Sequence, residues 1–170
     1  MKKLIKFNNI DTISVSLILL LTLARLIPHP PNFTPIIATA ILGSYFFKNI
    51  YLSLFTIFIS MLLTDLVLGF SLITIFVYLS IFILILIFFN FRKYVNIKNL
   101  FLYGFFGSLI FFIISNFGFW LINDIYEKNL SGLIECYILA IPFFKNTLLA
   151  TILFSYSAYL MSIFLTKEKA

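Results

Sequence analysis

Two long stretches of this chain contain no charged residue: Leu72 to Phe89, and Leu100 to Ile122. About 20 apolar residues are what a helix needs to cross the hydrocarbon core of a bilayer. In lipid, only helices and closed barrels satisfy every backbone donor and acceptor. Composition extends the point to the whole chain. Of its 170 residues, 62% are hydrophobic and 11% charged, against roughly 25% charged in an ordinary soluble domain. That leaves too little polar surface to cover a core in water, and far too much hydrophobicity for intrinsic disorder. The single cysteine, Cys136, excludes an internally bridged secreted scaffold. The expectation is an all-α integral membrane protein, a bundle of about six transmembrane helices forming one membrane domain over residues 1–170.

Breakers and charges place the spans. The first runs from about 12 to 27 and is ended by Pro28, Pro30 and Pro31, because proline lacks the amide donor and clashes inside a helix. The others cover about 35–47, 50–69, 72–89 and 100–122, with the sixth over 146–165. A segment at 133–141, stopped by Pro142, is too short to cross and is expected to be interfacial or re-entrant. Lys2, Lys3 and Lys6 ahead of an apolar run from Ile13 to Leu23 resemble a signal peptide, but Ala24 is followed by Arg25 and a proline cluster instead of a small-x-small cleavage pattern. An uncleaved first helix is the expectation.

Lysine and arginine in short loops set orientation. With six crossings and a cytoplasmic N-terminus, the inner side holds Lys2, Lys3, Lys6, Lys48, Arg92, Lys93, Lys98, Lys167 and Lys169, and the outer side holds Arg25, Lys128 and Lys145. Both termini are then cytoplasmic, in the bacterial inner (plasma) membrane. The net charge of +6 reads as a topology signal, with no call for a nucleic-acid partner.

Charged groups at mid-membrane cost roughly 2.5–3.5 kcal/mol each on insertion scales, and polar ones are also disfavoured there, so their positions are informative. Arg25 ends the first span, and His29 and Asn32 sit in the proline-rich loop. Asp65 lies one turn before Gly69. Asn116 and Trp120 are four apart, on one face of the fifth span, and Asn146 opens the sixth. All fall in the outer half, which fits a pocket open to the outside and closed toward the cytoplasm. Each also has a plainer reading: Arg25 and Lys145 as snorkelling cations, Trp120 as part of an aromatic belt, His29 as a turn residue. An Arg25–Asp65 pair tying the first and third helices together is as good a reading as substrate contact. Asp124, Glu127 and Lys128 read as a solvated loop. One histidine and one cysteine supply no metal site. No catalytic or nucleotide motif is present, so neither enzyme activity nor a cofactor is expected.

The stretch Arg25-Leu-Ile-Pro-His-Pro-Pro-Asn-Phe-Thr-Pro35 is distinctive. With Thr64-Asp65 through Gly69, Ser115-Asn116-Phe117 through Trp120, Gly132-Leu133 through Cys136-Tyr137, and Ile141-Pro-Phe-Phe-Lys-Asn-Thr147, it resembles an uncharacterised bacterial family of membrane transport proteins. That family is similar to the S components of energy-coupling factor transporters, six-helix subunits that capture vitamins. The resemblance implies that the loop from Pro28 to Pro35 lids a binding site, with Glu135 to Phe143 as its other wall. It also implies energising partner subunits, a membrane coupling protein and ATPases. The Ala-x-x-x-Ala docking pattern of such components is lacking in the first span; Thr39 and Gly43, and Ala40 and Ser44, offer a small-residue face on the second helix instead.

The leading expectation is a substrate-binding subunit for uptake of a small nutrient such as a vitamin or cofactor precursor, using Arg25, His29, Asn32, Asp65, Asn116, Trp120 and Asn146. The alternative is a structural or assembly membrane protein, in which the outer polar cluster merely packs helices.

Overall fold

The structure, a computed structural model, describes residues 9–47 and 49–167. Among these residues the chain is helical throughout its regular structure. Six helices follow in order: α1 (Asn9–Leu23), α2 (Ile36–Phe46), α3 (Ile50–Leu68), α4 (Thr74–Phe91), α5 (Leu100–Ile122) and α6 (Leu130–Lys167), with short 3-10 turns at Ala24–Leu26 and Arg92–Tyr94. The regions of α3, α4, α5 and α6 are long and apolar enough to cross a membrane. They turn large apolar side chains outward, among them Phe55 and Val67 on α3, Phe106 and Ile113 on α5, and Leu153 and Phe164 on α6. Soluble proteins rarely expose apolar surface on that scale. Of the cations expected on the inner side, Lys2, Lys3, Lys6, Lys48 and Lys169 lie outside the described residues.

The 11 residues of α2 rise about 16 Å, roughly half of a hydrocarbon core. This short helix is the centre of the molecule, packed by all five others, and every residue from Ile36 to Ser44 is buried. Close approach requires its small residues. A Cβ on Gly43 would stand 2.6 Å from Ile57 Cδ1, and Ser44 Oγ donates to Ala40 O at 2.7 Å and lies 3.4 Å from Ile85 O. The face of Thr39, Ala40, Gly43 and Ser44 is therefore spent inside the fold. This corrects the expectation that it is free for a partner helix.

A second correction concerns Pro142. The segments at 133–141 and 146–165 are one helix, α6, with Pro142 inside it. Proline removes the amide that would bond the carbonyl of Ile138, but breaking the helix there would strand several more backbone groups in apolar surroundings. One lost bond is the smaller cost. At 38 residues α6 extends about 57 Å. Its first half runs antiparallel to α5: Tyr137 Oη donates to Ile113 O at 2.7 Å, and the Phe112 and Phe144 rings meet edge-on at 5.2 Å. Its second half packs on α2, where the Tyr159 and Tyr45 rings are 5.6 Å apart. Many buried hydroxyls within the bundle donate to carbonyls three or four residues back, as Thr22 does to Ile18 O and Thr151 to Thr147 O, while those of Ser53 and Ser155 find no partner among the described residues. Polar side chains are thereby tolerated without external partners.

Candidate functional site

The proline-rich loop, the start of α4, the last turns of α5 and the first turns of α6 meet at one end of the bundle. There four of the residues singled out in the sequence fall into two groups, and His29, Trp120 and Asn146 stand outside both.

The first group is an ion network. Arg25, held at the end of α1 by its 3-10 turn, donates through Nη2 to Asp65 Oδ1 at 2.7 Å and through Nη1 to Thr64 Oγ1 at 2.6 Å. The other carboxylate oxygen accepts from Tyr78 Oη of α4 at 2.8 Å, and Thr64 Oγ1 donates onward to Met61 O. The side chains of Arg25 and Asp65 are only 10% and 5% exposed, so snorkelling does not describe this arginine. Its Nε is buried with no hydrogen-bond partner among the described residues. Charge-assisted bonds of this kind are the strong ones, and this set joins α1, α3 and α4.

The second group is a cavity of about 410 Å³, within the range of small-molecule sites. Pro31 and Asn32 of the loop form one side, and Cys136, Leu139, Ala140 and Phe143 of α6 another; Ile73 and Val77 come from the start of α4, Phe111, Ser115, Asn116 and Phe119 from α5, and Tyr126 from the turn after it. The loop conformation is local chemistry. Phe33 N donates to Pro30 O at 3.0 Å, and Asn32 adopts φ +61°. That is the arrangement of a type II turn, with proline at its second position and a residue tolerant of positive φ at its third. Asn146 Nδ2 then donates to Pro31 O at 3.0 Å across 115 residues of sequence, and Phe33 packs edge-on against Phe154 at 6.1 Å. The loop is thus tied to α6 at two points.

Asn116 Nδ2 donates to Phe112 O at 2.8 Å. Among the described residues its Oδ1 receives no hydrogen bond. Partial burial, and then the neighbouring Cys136 and Glu135, raise the Tyr126 phenol above its ordinary value. No lining residue carries a formal charge.

Of the expected site residues, Asn32 and Asn116 line the cavity. Arg25 and Asp65 do not; they bind each other. Asn146 holds the loop without lining the cavity, and His29 is exposed, its Nδ1 2.9 Å from Pro30 O. Trp120, expected beside Asn116, is not among the lining residues. Its Nε1 donates to Glu127 O at 2.9 Å, and the Lys128 ammonium stands 5.7 Å from its ring. Lys128, read from sequence as solvated, also donates to Trp120 O and Asn123 O, capping the carbonyl end of α5 as a cation can. Gly132 permits this turn, since a Cβ there would collide with Glu127 O. Phe111, Ser115 and Phe119 were missed, though their spacing continues the face of Asn116; for Tyr126 the sequence carried no signal. Among the described residues, His, Cys, Asp and Glu nowhere cluster in threes to hold a metal ion.

Residues 6–170 match the family of unknown function DUF6580, and the chain belongs to that family. No curated protein and no solved structure matches it.

Proposed function

We propose that this chain is a substrate-capturing membrane subunit, similar to an S component, for uptake of a small nutrient such as a vitamin or cofactor precursor. The observation that carries this reading is the cavity beside the pinned proline-rich loop. It has a mixed apolar and polar lining, as small-molecule sites do, and it lies where the sequence resemblance expects a lid and its facing wall. The chain resides in the bacterial plasma membrane, with both termini and the Arg92–Lys98 loop cytoplasmic and the cavity end outward. Its sequence holds no nucleotide-binding motif, so energy from ATP would enter through partner subunits.

Purification in mild detergent, followed by mass spectrometry of co-purified small molecules and proteins, tests capture directly. A retained, exchangeable small molecule supports it, and its absence from protein isolated under several growth conditions counts against it. Orientation is tested with single cysteines at Lys98 and Asp124, in a chain with Cys136 replaced by Ala. Both positions are exposed, and they flank opposite ends of α5. Labelling from outside should reach position 124 and spare position 98; the reverse would invert the topology.

The structural or assembly reading keeps one specific support: Arg25 and Asp65, two of the costliest residues, serve helix packing. The cavity counts against extending that reading to the whole polar end.

A further inference from the structure

We infer that the cavity selects an uncharged, ring-bearing small molecule that donates a hydrogen bond, of carboxamide or lactam type, to Asn116 Oδ1. This inference rests on the capture reading above and gives that site its substrate class.

Charge is disfavoured by what lines the cavity. The buried ions Arg25 and Asp65 are committed to each other at 2.7 Å and take no part in the lining. Lys128 is bound to backbone carbonyls of Trp120 and Asn123. Glu135, one residue before the lining Cys136, is itself exposed and outside the wall. A charged group entering would lose water and meet no counter-ion within the lining itself, which apolar sites penalise.

The ring is favoured by Phe111, Phe119, Tyr126 and Phe143, four aromatic side chains in one small lining. Phe119 and Tyr126 already pack edge to face at 6.3 Å, a geometry open to a further ring. The donor is called for by Asn116. Phe112 O accepts its Nδ2 and so orients the amide, leaving Oδ1 as the atom free to accept from a ligand. Two lone pairs there are best met by the N–H of an amide, which adds no charge.

Benzamide, benzoate and benzamidine share one shape and differ in charge, so they serve as probes. Their affinities for the full-length protein in detergent are measured by ligand-observed NMR titration. Benzamide should bind at least about tenfold more tightly than either ion. Asn116→Leu should weaken benzamide roughly two- to tenfold and leave circular dichroism unchanged. Ala140→Phe, which fills the cavity, should abolish binding. Leu139→Trp does the same from a half-exposed lining position if the first variant does not fold.

Equal or tighter binding of benzoate or benzamidine, lost in the filled variants, overturns the neutral class and leaves a capture pocket standing. Binding that survives both filled variants places the contact elsewhere and overturns the assignment. Absence of binding by all three probes also overturns it. Capture itself is judged separately, by the exchange of co-purified molecules.

Discussion

The ion network and the cavity lie at the same end of one bundle and handle polar groups in opposite ways. Around Asp65, both carboxylate oxygens, a guanidinium and two hydroxyls close on one another. Around Asn116 the polar atoms are neutral, and an acceptor is left open beside empty space. The difference separates two uses of costly residues in apolar surroundings. A network of ions and hydroxyls bonded to one another fixes helices relative to each other, even with Arg25 Nε left unpartnered, whereas a neutral lining with an open acceptor waits for a partner from outside. In a list of polar residues along the chain the two look the same.

The comparison breaks first at Asp65. Asp65→Leu leaves a buried guanidinium unpaired and should cost about 3–5 kcal/mol of stability, read as a lowered unfolding midpoint in detergent micelles. Arg25→Met combined with Asp65→Leu should regain most of that loss. If the two single losses merely add, the residues are not coupled and the network is not what holds α1 to α3.

A smaller effect is expected where the loop is tied to α6. Asn146→Ala removes one hydrogen bond, worth about 0.5–1.5 kcal/mol. Modification of Cys136 by a small methanethiosulfonate should then quicken roughly two- to tenfold, because the thiol lines the cavity, while the unfolding midpoint falls by only a few degrees. Unchanged labelling would mean that the Pro31 contact does not restrain the loop.

Trp120→Ala should produce the smallest change at the cavity. Benzamide affinity should stay at the wild-type value, in contrast to Asn116→Leu, and only the turn at 123–129 should loosen, seen as faster amide exchange there. A loss of affinity matching that of Asn116→Leu would return Trp120 to the ligand surface.

The pairing of Arg25 with Asp65 was legible because a carboxylate four residues inside an apolar span has few ways to be tolerated, and one arginine stood at the matching end. Part of the lining was legible through Asn116, a polar residue inside an apolar span, and through Asn32 of the proline-rich loop. Trp120 stands apart from the lining because spacing of four places two residues on one helix face but says nothing about a turn that folds back so that Glu127 O accepts the indole N–H. Lys128 is exposed, as a solvated loop implies, but its carbonyl partners are defined only once the chain reverses after α5.

By itself the sequence determined that the chain folds as apolar helices and where most of them end, since hydropathy, charge and proline act locally along the chain. It also determined that certain residues must be buried with partners. Tertiary structure alone decided that α2 is the hidden centre, because a helix apolar on all sides carries no mark of which face meets lipid. Only the packed bundle could carry α6 through Pro142, where the lost bond is weighed against the surroundings of its neighbours. The cavity likewise belongs to the packing, as an empty space is defined by five chain segments that meet only when folded.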